Sequence, residues 1–232
     1  MNKKIMVIII ILILVIINNT FFITKPTDTQ VVSNIQNDDI VVVLDAGHGG
    51  EDGGAVNSNG IVEADLNLQI TLKLKDILNL NGFHTIMTRT DDRDLSDKSL
   101  DTISKRKKSD MRKRLEIYNS DIHNVAISIH QNMFPATSCK GSQVFYSTKA
   151  PTAKTLADSI TASVVGTLQP DNQRISKPTT GSIFLLDNAD IPAVIVECGF
   201  LSNEEEVLSL CDIEYQKKFS YCIFRGFINT EF

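Results

Sequence analysis

Three apolar runs in this chain end on residues that can ligate a metal or carry a proton. IVVVLDAGHGGEDGG, Ile40–Gly54, leads into Asp45 and His48; VAISIH, Val125–His130, ends on His130; and IPAVIVECG, Ile191–Gly199, carries Glu197 near its end. The glycines around His48 suggest a phosphate cradle, but the residues argue against one. A G-x-G-x-x-G pattern starting at Gly47 would finish on Asp52, and Glu51 beside it would repel an anion. A histidine among carboxylates suits a metal cation. Two imidazoles and one carboxylate leave an open position on tetrahedral Zn2+, the arrangement of hydrolytic zinc sites. His48 and His130 supply the imidazoles, and spacing does not choose the carboxylate among Asp45, Glu51, Asp52 and Glu63. Glu197, between Val196 and Cys198, is an awkward residue for a purely structural role, because a buried carboxylate requires compensation. His84 and His123 have no strand-end position and are expected on the surface or in structural roles.

These side chains meet only if the elements carrying them run the same way. Ile40–Leu44 and Ala193–Glu197 have the continuous β-branched character of strands buried on both faces. Phe83–Thr88 and Val125–His130 read as further strands, Gly141–Tyr146 as an edge strand and Ile183–Leu186 as a short one. Glu63–Leu80 alternates like a strand in part. Its length, its Leu/Lys/Gln content and the stripe Leu66, Ile70, Leu74, Ile77 favour a helix closed by Asn81-Gly82. Thr152–Leu168 is expected to be helical, as are Glu204–Leu210, Ile213–Phe227 or both. Strands alternating with helices imply an α/β layered domain with a largely parallel sheet. In such a sheet the carboxyl ends of parallel strands share one edge, which brings His48, His130 and Glu197 together.

The chain has 232 residues and a net charge of −5, so nothing draws it as a whole to nucleic acid. Lys3 and Lys4 precede Ile5–Ile17, which holds no polar residue. Continued through Phe21-Phe22-Ile23, this segment approaches the ~20 residues that cross a hydrocarbon core. It is read as a signal or membrane anchor over 1–24, with no convincing small-residue cleavage site, followed by a polar linker over 25–39 and a folded domain over 40–232. The domain is therefore expected outside the cytoplasm, secreted or held at the outer membrane face by Ile5–Ile23. Cys139, Cys198, Cys211 and Cys222 form no C-x-x-C, and isolated thiols are expected in a domain large enough to need no staples. Asp91–Arg114 begins acidic and turns basic from Lys105 to Arg114. It reads as a solvated helix face, or as a surface for anionic lipid, acidic wall polymer or a protein partner.

Taken in order, LDAGHGGEDGGA, GIVEADLNLQ, Thr88-Arg89-Thr90, SIHQN at Ser128–Asn132 and IPAVIVECGFLSN at Ile191–Asn203 resemble the catalytic domain of the zinc-dependent N-acetylmuramoyl-L-alanine amidases, the amidase-3 family. The resemblance implies a single catalytic domain with a twisted, mostly parallel six-stranded sheet flanked by helices. It implies one catalytic Zn2+ held by His48, Glu63 and His130, with Glu197 as the catalytic carboxylate. The reaction implied is hydrolysis of the amide between N-acetylmuramic acid and L-alanine in peptidoglycan. Asp45 then either orients a ligand imidazole or caps its turn. The segment between Arg89 and Arg114 is longer and more basic than in the simplest members, and no wall-binding repeat is attached. This compact form resembles the germination-specific (CwlD-type) subgroup, which acts on cortex peptidoglycan during spore formation so that muramic-δ-lactam can form. Peptidoglycan and, through the N-terminal segment, the membrane are the implied partners. Family relatives are often controlled by regulators, and the basic segment is a candidate contact for one. Two rivals are a zinc peptidase cutting within the stem peptide and a non-catalytic wall-binding module. The second would lack a ligand or the general base, and all four positions are present.

Overall fold

In the computed structural model, which describes residues 40–232, the first apolar run forms β1, Val41–Ala46, buried along almost its whole length. The expected anchor and linker lie outside the described residues. After β1 come α1 (Glu63–Leu80), β2 (His84–Met87), α2 (Ile103–Tyr118), β3 (Asn124–Asn132), β4 (Gln143–Tyr146) and α3 (Pro151–Thr167). A two-residue β5 (Lys177–Pro178), α4 (Phe184–Asn188), β6 (Ala193–Phe200), α5 (Glu204–Cys211) and α6 (Ile213–Ile228) complete the domain. The sheet has six strands in the order β2-β1-β3-β6-β4-β5. The first four are mutually parallel, and β4 runs antiparallel to β6.

Chain direction explains the layers. The chain leaves β1 to one side, through α1 into β2, then crosses back through α2 into β3 on the other side of β1. Right-handed crossovers in opposite directions place the two helices on opposite faces. Accordingly Leu66, Ile70, Leu74 and Leu78 of α1 pack with α3, α6 and the side chains of Val42, Leu44, Ile127 and Val196. Met111, Leu115 and Tyr118 of α2 pack with Leu185 and Leu186 of α4 against Val43, Ala126 and Ile195. Each fully buried Leu or Ile contributes ~1.5–3 kcal/mol over an exposed one. The point where the chain changes direction lies between β1 and β3, the crevice where open α/β sheets bind ligands.

Helix α1 covers Glu63–Leu80, as the length and the stripe suggested, and both C-terminal helices form. Two expectations are corrected. Gln143–Tyr146 is not an edge strand, because Lys177 and Pro178 pair outside it. Ile183–Leu186 is not a strand either: Phe184–Asn188 is a short helix. The Asp187 carboxylate accepts hydrogen bonds from the Thr179 hydroxyl and the backbone N–H groups of Gly181 and Ile183, winding the segment tightly. A four-residue apolar run does not separate the two structures by periodicity. All four cysteines are free, and none of the described helices is long and apolar enough to cross a membrane.

Candidate metal centre and active site

His48 stands two residues beyond β1 in the left-handed backbone region, with φ of 62°. Asp52 fixes its ring: Nδ1 lies 3.1 Å from Asp52 Oδ2, which leaves Nε2 facing Glu63 Oε1 at 3.3 Å. Glu63 opens α1, where a carboxylate interacts favourably with the helix dipole. Its Oε2 accepts the Ala55 N–H (2.9 Å), and its Oε1 accepts the Gln131 N–H (3.1 Å) and an Asn67 side-chain N–H (3.3 Å). His130, near the end of β3, brings Nδ1 to 3.0 Å from the same Oε1. One donor atom from each of His48, Glu63 and His130 lies within 4.8 Å of the others, and the imidazoles stand edge to face with centroids 5.0 Å apart. Two nitrogens and a carboxylate oxygen converging from three elements match the donor set of a catalytic divalent-cation site.

Glu197 lies beside this group, in register with His130 across the β3–β6 pair. Its Oε2 is buried and has no hydrogen-bond partner in the protein. Burial, reinforced by the neighbouring Glu63 charge, pushes the carboxyl up to about 7, although the imidazoles oppose this. An unsatisfied buried carboxylate oxygen is costly. This unpartnered oxygen lies beside the convergent donors of His48, Glu63 and His130.

The glycine loop makes room for this packing. A Cβ on Gly47 would fall inside the His130 imidazole. Gly54 has φ of +71°, and a Cβ there would lie 2.5 Å from Glu63 Oε2 and 2.7 Å from His48 Cδ2. Gly47→Ala is therefore expected to displace His130 and lower metal content sharply. Gly166→Ala, in an open position on α3, should leave metal content unchanged. Metal analysis of the two purified variants checks the contrast.

The remaining acidic candidates do different work. Asp45 is fully buried and binds Arg114 Nη1 (2.5 Å), the Ser128 hydroxyl (2.6 Å), the Thr88 hydroxyl (2.7 Å) and the Tyr118 hydroxyl (3.0 Å), with no imidazole among its partners. Burial disfavours its charge, but Arg114 and the hydroxyls outweigh this and hold the carboxyl well below the usual range. Glu51 pairs with Arg106 at 2.7 Å, and Asp52 pairs with Lys107 at 2.8 Å while holding His48. Two buried arginines then fasten the ligand loop. Arg114 donates to the carbonyls of Ala46 (2.9 Å) and His48 (2.7 Å). Arg89 donates to those of Ala46 (2.8 Å), Gly47 (3.0 Å) and Ala64 (2.8 Å), joining the loop to the first turn of α1. Sequence reasoning assigned neither role. The Thr88-Arg89-Thr90 block marked Arg89, whereas Arg114 was indistinguishable from its solvated neighbours.

Electrostatics link cation binding to protons. Burial lowers the proton affinity of His48, but its bonds to Asp52 and Glu63 outweigh that and raise its pKa to about 9. A metal needs the neutral ring, so binding near pH 7.5 should release about one proton, and affinity should rise with pH up to about 9. Titration calorimetry with Zn2+ in two buffers of different ionisation enthalpy measures this. Identical heats in both would contradict it.

Comparison with known proteins agrees with the geometry. The family model described as "N-acetylmuramoyl-L-alanine amidase" (Amidase_3) matches residues 42–229. The germination-specific N-acetylmuramoyl-L-alanine amidase of Bacillus subtilis (strain 168) is 35% identical over 188 residues, covering 81% of this chain and 78% of its own. Among solved structures, the CwlD amidase from Clostridioides difficile, in complex with the GerS lipoprotein, superposes with a TM-score of 0.78 at 37% identity, covering 81% of this chain and 96% of that one. An N-acetylmuramoyl-L-alanine amidase from Clostridium difficile 630 gives 0.70 at 26% identity, over 81% and 94%. The fold, the clustered histidines and glutamate, and these likenesses together place the chain in the Amidase_3 family, as a peptidoglycan N-acetylmuramoyl-L-alanine amidase.

Proposed function

We propose that this enzyme is a zinc hydrolase of cortex peptidoglycan, removing stem peptides at the N-acetylmuramic acid–L-alanine amide on the way to muramic-δ-lactam. One observation carries the reading: His48 Nε2, Glu63 Oε1 and His130 Nδ1 converge beside a Glu197 carboxylate with an unpartnered oxygen. His48, Glu63 and His130 hold the metal. When bound, Zn2+ supplies Lewis acidity that brings the pKa of water towards ~7 and polarises a carbonyl. Glu197 takes the proton from the attacking water and returns it to the departing amine of L-alanine, a task suited to a group titrating near neutrality. Asp52 keeps the His48 Nδ1–H occupied, so Nε2 stays available to the cation.

The spore role is supported by the likeness to the germination-specific relative of Bacillus subtilis. The relative of known structure from Clostridioides difficile is in complex with a lipoprotein, which supports a protein partner for this chain as well. The sequence of residues 1–24 supports export or anchoring, with 25–39 as tether and 40–232 as the catalytic domain beyond the membrane.

Digestion of vegetative and cortex-type peptidoglycan, with and without a chelator, followed by mass spectrometry of the muropeptides, tests the reading. The expected result is loss of the whole stem peptide at the lactyl–alanine bond, greater from cortex material and stopped by the chelator. Cleavage between stem-peptide residues would favour the peptidase instead.

A further inference from the structure

Helix α2 carries seven Lys and Arg residues against two acids, yet the fold uses only part of this charge. Its ion pairs engage Lys105, Arg106, Lys107 and Arg114; Lys108, Arg112 and Lys113 are exposed and enter none among the described residues, and of these Lys108 and Arg112 face one groove. These two lie one helical turn apart. With Ile103, Lys107, Met111 and Phe184 they line a groove of about 690 Å3 between α2 and α4 that contains no acidic side chain. Ile103 and Phe184 are exposed apolar residues. The groove also adjoins the catalytic site: Lys107 Nζ is 2.8 Å from one Asp52 oxygen, and the other Asp52 oxygen holds His48.

The chain is acidic overall, so this basic groove is a local feature that selects an anionic ligand. A groove one carboxylate away from a metal ligand is placed to hold part of the substrate. The scissile amide belongs to L-alanine, and the stem peptide continues from there into residues bearing free carboxylates. We propose that the α2–α4 groove receives this acidic stem peptide, Lys108 and Arg112 attracting its carboxylates and Ile103, Met111 and Phe184 contacting its alkyl groups. The inference rests on the amidase reading and adds to it how the leaving group is recognised.

The test uses the full-length protein in detergent and the double variant Lys108→Glu, Arg112→Glu. Calorimetry on metal-free protein measures binding of a free stem tetrapeptide and of its carboxyl-amidated form. Kinetics on the zinc-loaded enzyme then separate KM from kcat. Removing two attractions and adding two repulsions should weaken binding of the carboxylate peptide ~10-fold. KM should rise in parallel with kcat unchanged, and added salt should shrink the difference. The amidated peptide should not distinguish variant from wild type. Equal affinity of both proteins for the carboxylate peptide overturns the proposal. So does loss of binding to vesicles of anionic phospholipid with peptide affinity intact, which would make the groove a membrane contact. Because the peptide is titrated without metal, a wild type that binds it but fails to cleave peptidoglycan counts against the amidase reading and leaves the groove assignment standing.

Discussion

Glu197→Gln is expected to bind zinc as the wild type does and to turn over ~10^2–10^4-fold more slowly, the range typical of a lost general acid–base. Glutamine keeps the shape and can still accept a hydrogen bond, but it cannot take a proton from water. The substitution also removes a buried charge whose Oε2 has no partner in the protein, so the variant should be no less stable than the wild type. Unchanged zinc content, unchanged or higher melting temperature and collapsed kcat together distinguish a proton-transfer role from a structural one. Full activity would refute the role assigned to Glu197.

The second large effect is on folding. Arg114→Ala leaves Asp45 ionised and without its guanidinium, and breaking one side of a buried ion pair costs ~3–5 kcal/mol. The same change takes a donor from the His48 carbonyl, so zinc affinity should fall as well. Replacing both partners, Asp45→Asn with Arg114→Met, should recover part of the lost stability, because Asp45 no longer leaves a stranded charge and only Asp110 still loses its Arg114 partner. Urea unfolding of the wild type, Arg114→Ala and the double variant gives the comparison. Linkage fixes the pH dependence: Asp45 is held below its unfolded pKa of ~3.9, so its contribution is fully present above about pH 4. The contribution is lost as pH falls from there towards the folded-state value. The stability gap between wild type and Asp45→Asn should therefore narrow in acid.

These two effects differ in how far the sequence discloses them. Glu197 is legible because it interrupts an apolar strand, and its neighbour on β3 is legible for the same reason. Parallel strands then bring them together with His48, an inference that needs only topology. The carboxylate completing the triad is different. Asp45, Glu51, Asp52 and Glu63 are equivalent by spacing, and only the family resemblance pointed to Glu63. In the folded chain the other three are committed to Arg114, Arg106, Lys107 or the far side of the His48 ring. The arginine and lysine partners lie 55 or 69 residues away, beyond the reach of local pattern. Arg114 looked like one more cation on a solvated helix. Its burial becomes visible only once α2 is laid across the crevice. The helix at Phe184–Asn188 was hidden for a simpler reason, since its turn is set by one side chain, Asp187, bonding to backbone upstream.

The central claim is that one zinc ion binds to His48, Glu63 and His130. X-ray absorption at the zinc edge, on the purified protein and on His130→Ala, tests it most directly. The account predicts about one zinc per chain with imidazole nitrogen and carboxylate oxygen at ~2.0–2.2 Å, and loss of that zinc in the variant. A shell of sulfur at ~2.3 Å, or full zinc occupancy after His130→Ala, would contradict it.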